Sequence, residues 1–216
     1  GTNPDGIVYD SVSKRVFEFN GRSQDATVID AATGSIVGTV KLDGKPEFPG
    51  SDGKGSVFVS IGDKSELVKI NSKTLAVEVT WPLAPCESPS GLAIDKANRR
   101  LFSVCDNKLM AITDADSGKV VATPAIGEGP DAAAYDPETH LAFSSNGKSG
   151  TVTVIHAVGK DEYAVAETVV TAKGARTMTL DAKTHKIYLS DASFESAPGK
   201  RPVILPGTFR VLVFAH

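Results

Sequence analysis

The sequence predicts an all-β chain built from repeated antiparallel sheets, and three observations carry that prediction. The first is a recurring phrase: a loop proline or its counterpart, a short strand, an aspartate turn and an alternating strand. It reads "NPDGIVYDSVSKRVFEF", "KPEFPGSDGKGSVFVS", "SPSGLAIDKANRRLFSV" and "GPDAAAYDPETHLAFSS", with a weaker copy in "GARTMTLDAKTHKIYLS". The second is its spacing, since the turn aspartates Asp10, Asp52, Asp95, Asp136 and Asp181 follow one another at intervals of 41 to 45 residues. The third is periodicity. Apolar residues alternate with period 2 between Gly/Asn/Asp turns, and no stretch longer than about ten residues shows a helical period. Four strands in a unit of roughly 40–45 residues form the blade of a β-propeller.

The repeats fall at about 3–45, 46–88, 89–129, 130–174 and 175–216. In the first, "GIVYD" reads as the innermost strand, "RVFEF" as the second, "ATVID" as the third and "SIVGTVKL" as the outer one. Each aspartate closes the turn after the first strand, where its carboxylate accepts amide hydrogens two residues on. His140 and His185 lie four residues after their aspartates, where other repeats carry Lys14 and Arg99, and read as solvated turn residues. His156 ends a third strand and His216 ends the chain, so no two histidines have ligand spacing. The last repeat closes on "TFRVLVFAH", which aligns with a third strand, and no fourth strand follows. Blade five should therefore be three-stranded. The expectation is the C-terminal part of a longer propeller, with a five-bladed ring or chains completing one another as the alternatives. A proline-rich insertion, residues 191–208, interrupts this last repeat.

Composition narrows the function. A net charge of -3 and a pI near 5.8 give no basic footprint for nucleic acid, and aromatic residues make up only 6%. No apolar run approaches the ~20 residues that span a bilayer as a helix. The first residues, "GTNPDGIVYD", lack the plan of a signal peptide, leaving a cytosolic protein or one whose leader has been removed. There is no G-x-S-x-G, P-loop or H-E-x-x-H, and Trp81, the single tryptophan, reads as cover for the outer edge of its blade.

Candidate sites follow from the architecture. The loops leading into the first strands ring one mouth of the channel and place Asp5, Glu47, Ser90, Asp131 and Arg176 at equivalent positions. Three carboxylates there would bind Ca²⁺ or Mg²⁺ in preference to Zn²⁺, or would keep the mouth hydrated. On the same face the turns between second and third strands supply a polar rim: Asn20 and Arg22, Asp63 and Lys64, Asp106 and Asn107, Asn146 and Lys148. Cys86 and Cys105 come within reach of each other if Pro85 and Pro89 bend the loop. They form a disulfide in an exported protein and remain buried thiols in a cytosolic one.

The phrases "LAFSSNGKSGTVTVIHA", "VFEFNGRSQDATVIDAATGSIVGTV" and "GLAIDKANRRLFSV" make the chain similar to the YVTN-type β-propeller repeat proteins over nearly its whole length. Blade two departs from their pattern with "SIGDKSELVKINSKT", and blade five with its insertion. The resemblance implies a seven-bladed exported protein, periplasmic or extracellular, with a signal peptide upstream of these residues. It implies little chemistry, because fold does not fix function. The expected function is a non-catalytic binding or scaffold module whose loop-rich face meets a protein, a glycan or a small ligand. The alternatives are a metal-dependent, lactonase-like enzyme using the mouth carboxylates and, less favoured by composition, a single-stranded DNA binder.

Overall fold

A computed structural model describes residues 1–159, 161–195, 199 and 202–215. Blade I contains β1 (Pro4–Asp10), β2 (Arg15–Asn20), β3 (Asp25–Asp30) and β4 (Ile36–Lys41). Blade II contains β5 (Pro46–Ser51), β6 (Ser56–Ile61), β7 (Glu66–Asn71) and β8 (Val77–Pro82). Blade III contains β9 (Pro89–Asp95), β10 (Arg100–Cys105), β11 (Leu109–Asp114) and β12 (Val120–Ala122). Blade IV contains β13 (Pro130–Asp136), β14 (Leu141–Asn146), β15 (Thr151–Gly159) and β16 (Glu162–Val170). Blade V contains β17 (Met178–Asp181), β18 (Lys186–Asp191) and β21 (Arg210–Ala215), with a separate hairpin of β19 (Phe194–Glu195) and β20 (Val203–Ile204).

The chain is a β-propeller. Four antiparallel sheets have four strands in sequence order, and the fifth has three among the described residues. The first strands β1, β5, β9, β13 and β17 neighbour one another in chain order, and no comparable contact joins β17 to β1. Within blades I to IV the proline that opens the first strand faces the last residue of the second: Pro4 opposite Asn20, Pro46 opposite Ile61, Pro89 opposite Cys105, Pro130 opposite Asn146. A bulge follows the proline in each of these four blades. Proline suits that place because it has no N–H to give to the ladder.

The core lies between blades, which explains the sequence pattern. Successive residues of a strand face opposite sides. In β6, Val57, Val59 and Ile61 pack with Phe17 and Phe19 of blade I, while Phe58 packs with Leu92 and Leu101 of blade III. A second strand covered on both faces reads as a continuous apolar run, as in "SVFVSI"; β2 of the first blade reads "RVFEFN", with Phe17 and Phe19 buried. Similar clusters join blade III to IV around Phe102 and Ile155, and blade IV to V around Phe143 and Leu189. Each buried Phe or Leu contributes about 1.5–3 kcal/mol.

Polar clasps accompany these clusters. Each turn aspartate caps its own turn as expected: Asp10 accepts the Ser13 amide at 2.7 Å, and Asp95 accepts those of Ala97 and Asn98 at 3.0 Å. The following blade then reaches back to the same carboxylate. The Ser51 hydroxyl donates to Asp10 at 2.7 Å and Arg99 to Asp52 at 2.8 Å, and Tyr135 stands beside Asp95, whose carboxyl stays below the ordinary range despite its burial. At the last junction His185 Nδ1 meets Asp136 at 2.6 Å, so His185 is an inter-blade partner and not the solvated turn residue expected. Burial opposes ionisation of Asp136, yet the His185 ring and the Glu138 amide hold its carboxyl below the ordinary range. The hydrogen bond to Asp136 in turn raises the His185 pKa.

Blade IV adds a longer outer hairpin. Asp161 at its tip takes the Arg100 guanidinium at 2.8 Å, and Asp114 takes it from the other side at 2.7 Å. Tyr135 stacks on Phe102 with centroids 5.1 Å apart, and Tyr163 meets the same ring edge-on. Trp81 is half-buried against Phe58 and seats on Gly118 of blade III, beyond the covering role expected of it.

Candidate functional site

On one face of the propeller the loop leading into each first strand is laced to the turn between second and third strands. In blade I the amides of Gly21 and Arg22 donate to the carbonyls of Asn3 and Thr2 at 2.9 and 3.1 Å. In blade II the Lys45 amide donates to Asp63 Oδ1 at 2.7 Å. In blade III the Glu87 amide donates to Asn107 Oδ1 at 3.1 Å, and Asn107 Nδ2 to the Pro85 carbonyl at 2.7 Å. In blade IV the amides of Gly147 and Lys148 donate to the carbonyls of Gly129 and Glu128 at 2.8 and 3.1 Å. The rim residues and the mouth residues therefore share one face.

Within that face the rim positions divide. Arg22, Lys64, Asp106 and Lys148 are exposed, whereas Asp63 and Asn107 use a side-chain oxygen to hold the neighbouring loop. Asn20 and Asn146 are fully buried. Asn146 Nδ2 donates to Thr151 and Thr153, and Asn20 Nδ2 to Asp25 and Thr27. Both asparagines turn inward and fix their own turns. In blade III the same end-of-strand position is Cys105, bonded to Cys86 with a Cα–Cα distance of 5.6 Å.

The mouth residues separate by charge. Lys45 pairs with Glu47, and that contact, aided by the nearby charges of Glu47, Asp5 and Asp63, raises the lysine pKa. Across the face Arg176 Nε lies 3.8 Å from Asp131, and Ser90 Oγ donates to the Pro130 carbonyl at 3.3 Å. Of the residues expected at the mouth, Asp5 and Glu47 lie near Lys45, and Asp131 lies beside Arg176. Among the described residues no three His, Cys, Asp or Glu side chains come together as metal ligands.

A cleft of about 780 Å³ opens on this face at blades IV and V. Lys148, Lys173 and Arg176 line it, with Asp106 at one side. Pro130 and Gly147 form part of its surface, and Phe194 and Pro202 from the blade V insertion form another wall. A volume of ~300–1,000 Å³ is typical of small-molecule sites. The sequence reading had Asp106, Lys148 and Arg176 but missed Lys173 and Phe194. Lys173 sits in "AKGAR", three residues before Arg176, and Phe194 in "DASFESAPGKRP". Only the fold brings the insertion onto the rim. Residues 196–198, 200 and 201 of that insertion lie outside the described residues.

No family profile matches the chain, and no curated protein matches it by sequence. Among solved structures it is similar to hydrazine synthase of Kuenenia stuttgartiensis, with a TM-score of 0.79 over 99% of this chain at 15% identity. The chain spans 63% of the length of that structure. At this identity the likeness shows the propeller fold alone. The Cys86–Cys105 bond is compatible with an oxidising compartment, and no described helix is long and apolar enough to cross a membrane.

Proposed function

We propose that the chain is a non-catalytic binding or scaffold propeller that takes a protein, a glycan or a small ligand on its loop-rich face. The observation that carries this reading is the cleft at blades IV and V, in which Asp106, Lys148 and Arg176 from three different blades converge beside Phe194. Loops laced to a rigid sheet scaffold are where propellers and other folds place recognition. The YVTN-type repeat character and an exported location belong to the same proposal. They are supported by the recurrent "TVTVIH"- and "ATVID"-type third strands and by the disulfide.

A thermal-shift screen of carbohydrates, peptides and small organic acids tests it. A ligand present at about 100 times its Kd stabilises by about 2.7 kcal/mol, and that gain should vanish in a Phe194→Ala/Arg176→Ala double variant. Equal stabilisation of variant and wild type would place binding elsewhere. Turnover of a lactone or ester by the wild type would defeat the non-catalytic reading.

A further inference from the structure

Resting on that reading, we infer that the cleft at blades IV and V is built for a small organic anion: an oxyanionic group joined to a flat apolar body. Three cations, Lys148, Lys173 and Arg176, face two carboxylates, Asp106 and Asp131. Among the described residues Lys148 and Lys173 make no ion pair, and the one contact of Arg176 with Asp131 is long, at 3.8 Å. The cation surplus is local, because the chain as a whole carries a net charge of -3.

The backbone positions these side chains. Gly129, at φ +65°, lies so close under the Lys148 stem that a Cβ there would fall 2.6 Å from its Cγ. A Cβ on Gly147 would fall 3.0 Å from the Arg176 Cβ. Glycine at both places lets the two stems lie flat on the rim. Phe194, 52% exposed, and Pro202 line the same cleft. Cations and an exposed ring in one cleft match a ligand with a charged end and a planar flank. Guanidinium and ammonium groups give charge-assisted hydrogen bonds to such an end.

The test is a titration of ¹⁵N-labelled protein with 2-naphthoate and with its neutral isostere 2-naphthamide, followed at the amides of Gly129, Gly147 and Gly174. Naphthoate should shift these amides and bind at least about tenfold more tightly than the amide, a free-energy difference readable as a Kd ratio. Lys148→Glu and Arg176→Glu should each remove most of that preference, with undisturbed spectra elsewhere. Lys148→Gln, which changes charge without reversing it, should fall between. Equal binding of both probes at these amides would overturn the anion assignment and leave the loop-face reading standing. Shifts confined to another part of the molecule would overturn both. Response to an acidic peptide but not to naphthoate would replace the small anion with a macromolecular partner.

Discussion

Histidine 185 holds two blades together by a contact whose strength depends on protonation. Its pKa is raised by Asp136; burial would raise that of Asp136, but the His185 ring outweighs it and the carboxyl stays below the ordinary range. The histidine therefore adds stability that is complete below about pH 6.5, the value of a free imidazole, and that disappears as pH climbs through the raised value. The aspartate adds stability above the ordinary carboxylate range, lost as pH falls through the depressed value. A His185→Ala variant should consequently show its largest loss of Tm between about pH 5 and 6, converging on wild type as pH climbs through the raised pKa of the histidine. A pH-independent gap would mean that the ring acts by packing. The end of the second strand offers a different case. Asn146 satisfies two threonine hydroxyls in a fully buried place, so Asn146→Ala should cost about 1–3 kcal/mol in urea denaturation. Its polarity made it look like a rim contact in the sequence. Whether an asparagine points into a turn or out toward a partner depends on which pleat face it occupies, and one register step decides that.

At the level of strands and hairpins the recurring aspartate turn and the period-2 alternation were enough to place all five repeats, because a propeller builds each unit from short-range pairings. The junctions were less legible. That Ser51, Arg99, Tyr135 and His185 all address the previous turn carboxylate follows from the angle between blades, and four chemically different side chains leave no shared letter in the sequence. The Cys86–Cys105 bond closes a loop with a sequence separation of 19. In the chain-entropy account such a loop contributes about 3 kcal/mol. A Cys86→Ser/Cys105→Ser chain should lose about that much in denaturant titration, with β-sheet circular dichroism unchanged in water. The contact of Trp81 with Gly118 gives a sharper probe of blade packing. Gly118 has a φ of +74°, and a Cβ there would lie 2.2 Å from the indole. Gly118→Ala should therefore destabilise by about 1–3 kcal/mol or more and alter Trp81 fluorescence. A silent substitution would show that blades II and III slide past one another without cost.

Over the whole molecule, burial is graded from the middle outward. Every residue of β10 is buried, whereas β1 and β21 expose much of one face, including Ile7, Tyr9, Val211 and Val213. A repeat array held by nearest-neighbour interfaces opens first where least surface is buried. Amide exchange in this chain should be slowest in β10 and β14 and faster by orders of magnitude in β1 and β17; uniform protection would mean that all five blades unfold as one unit. Charge on the loop-rich face follows a second gradient, from the acidic surroundings of Lys45 to the cations around Phe194. The sequence named most of these charged residues, but equivalence between repeats says nothing about which neighbours lie at the next blade.

The reach-back to the turn carboxylate also gives the array a direction. Every blade carries an eye for its successor and a hook for its predecessor, and the hooks vary while the eye stays an aspartate. Tyr9 stands at the hook position that Tyr135 fills three blades later, and Asp181 is an eye that meets only its own turn among the described residues. A coupling with a constant socket and interchangeable plugs tolerates duplication. A copied blade spliced between two others would find its aspartate socket ready, leaving only the apolar faces of its junctions to be fitted to their new neighbours.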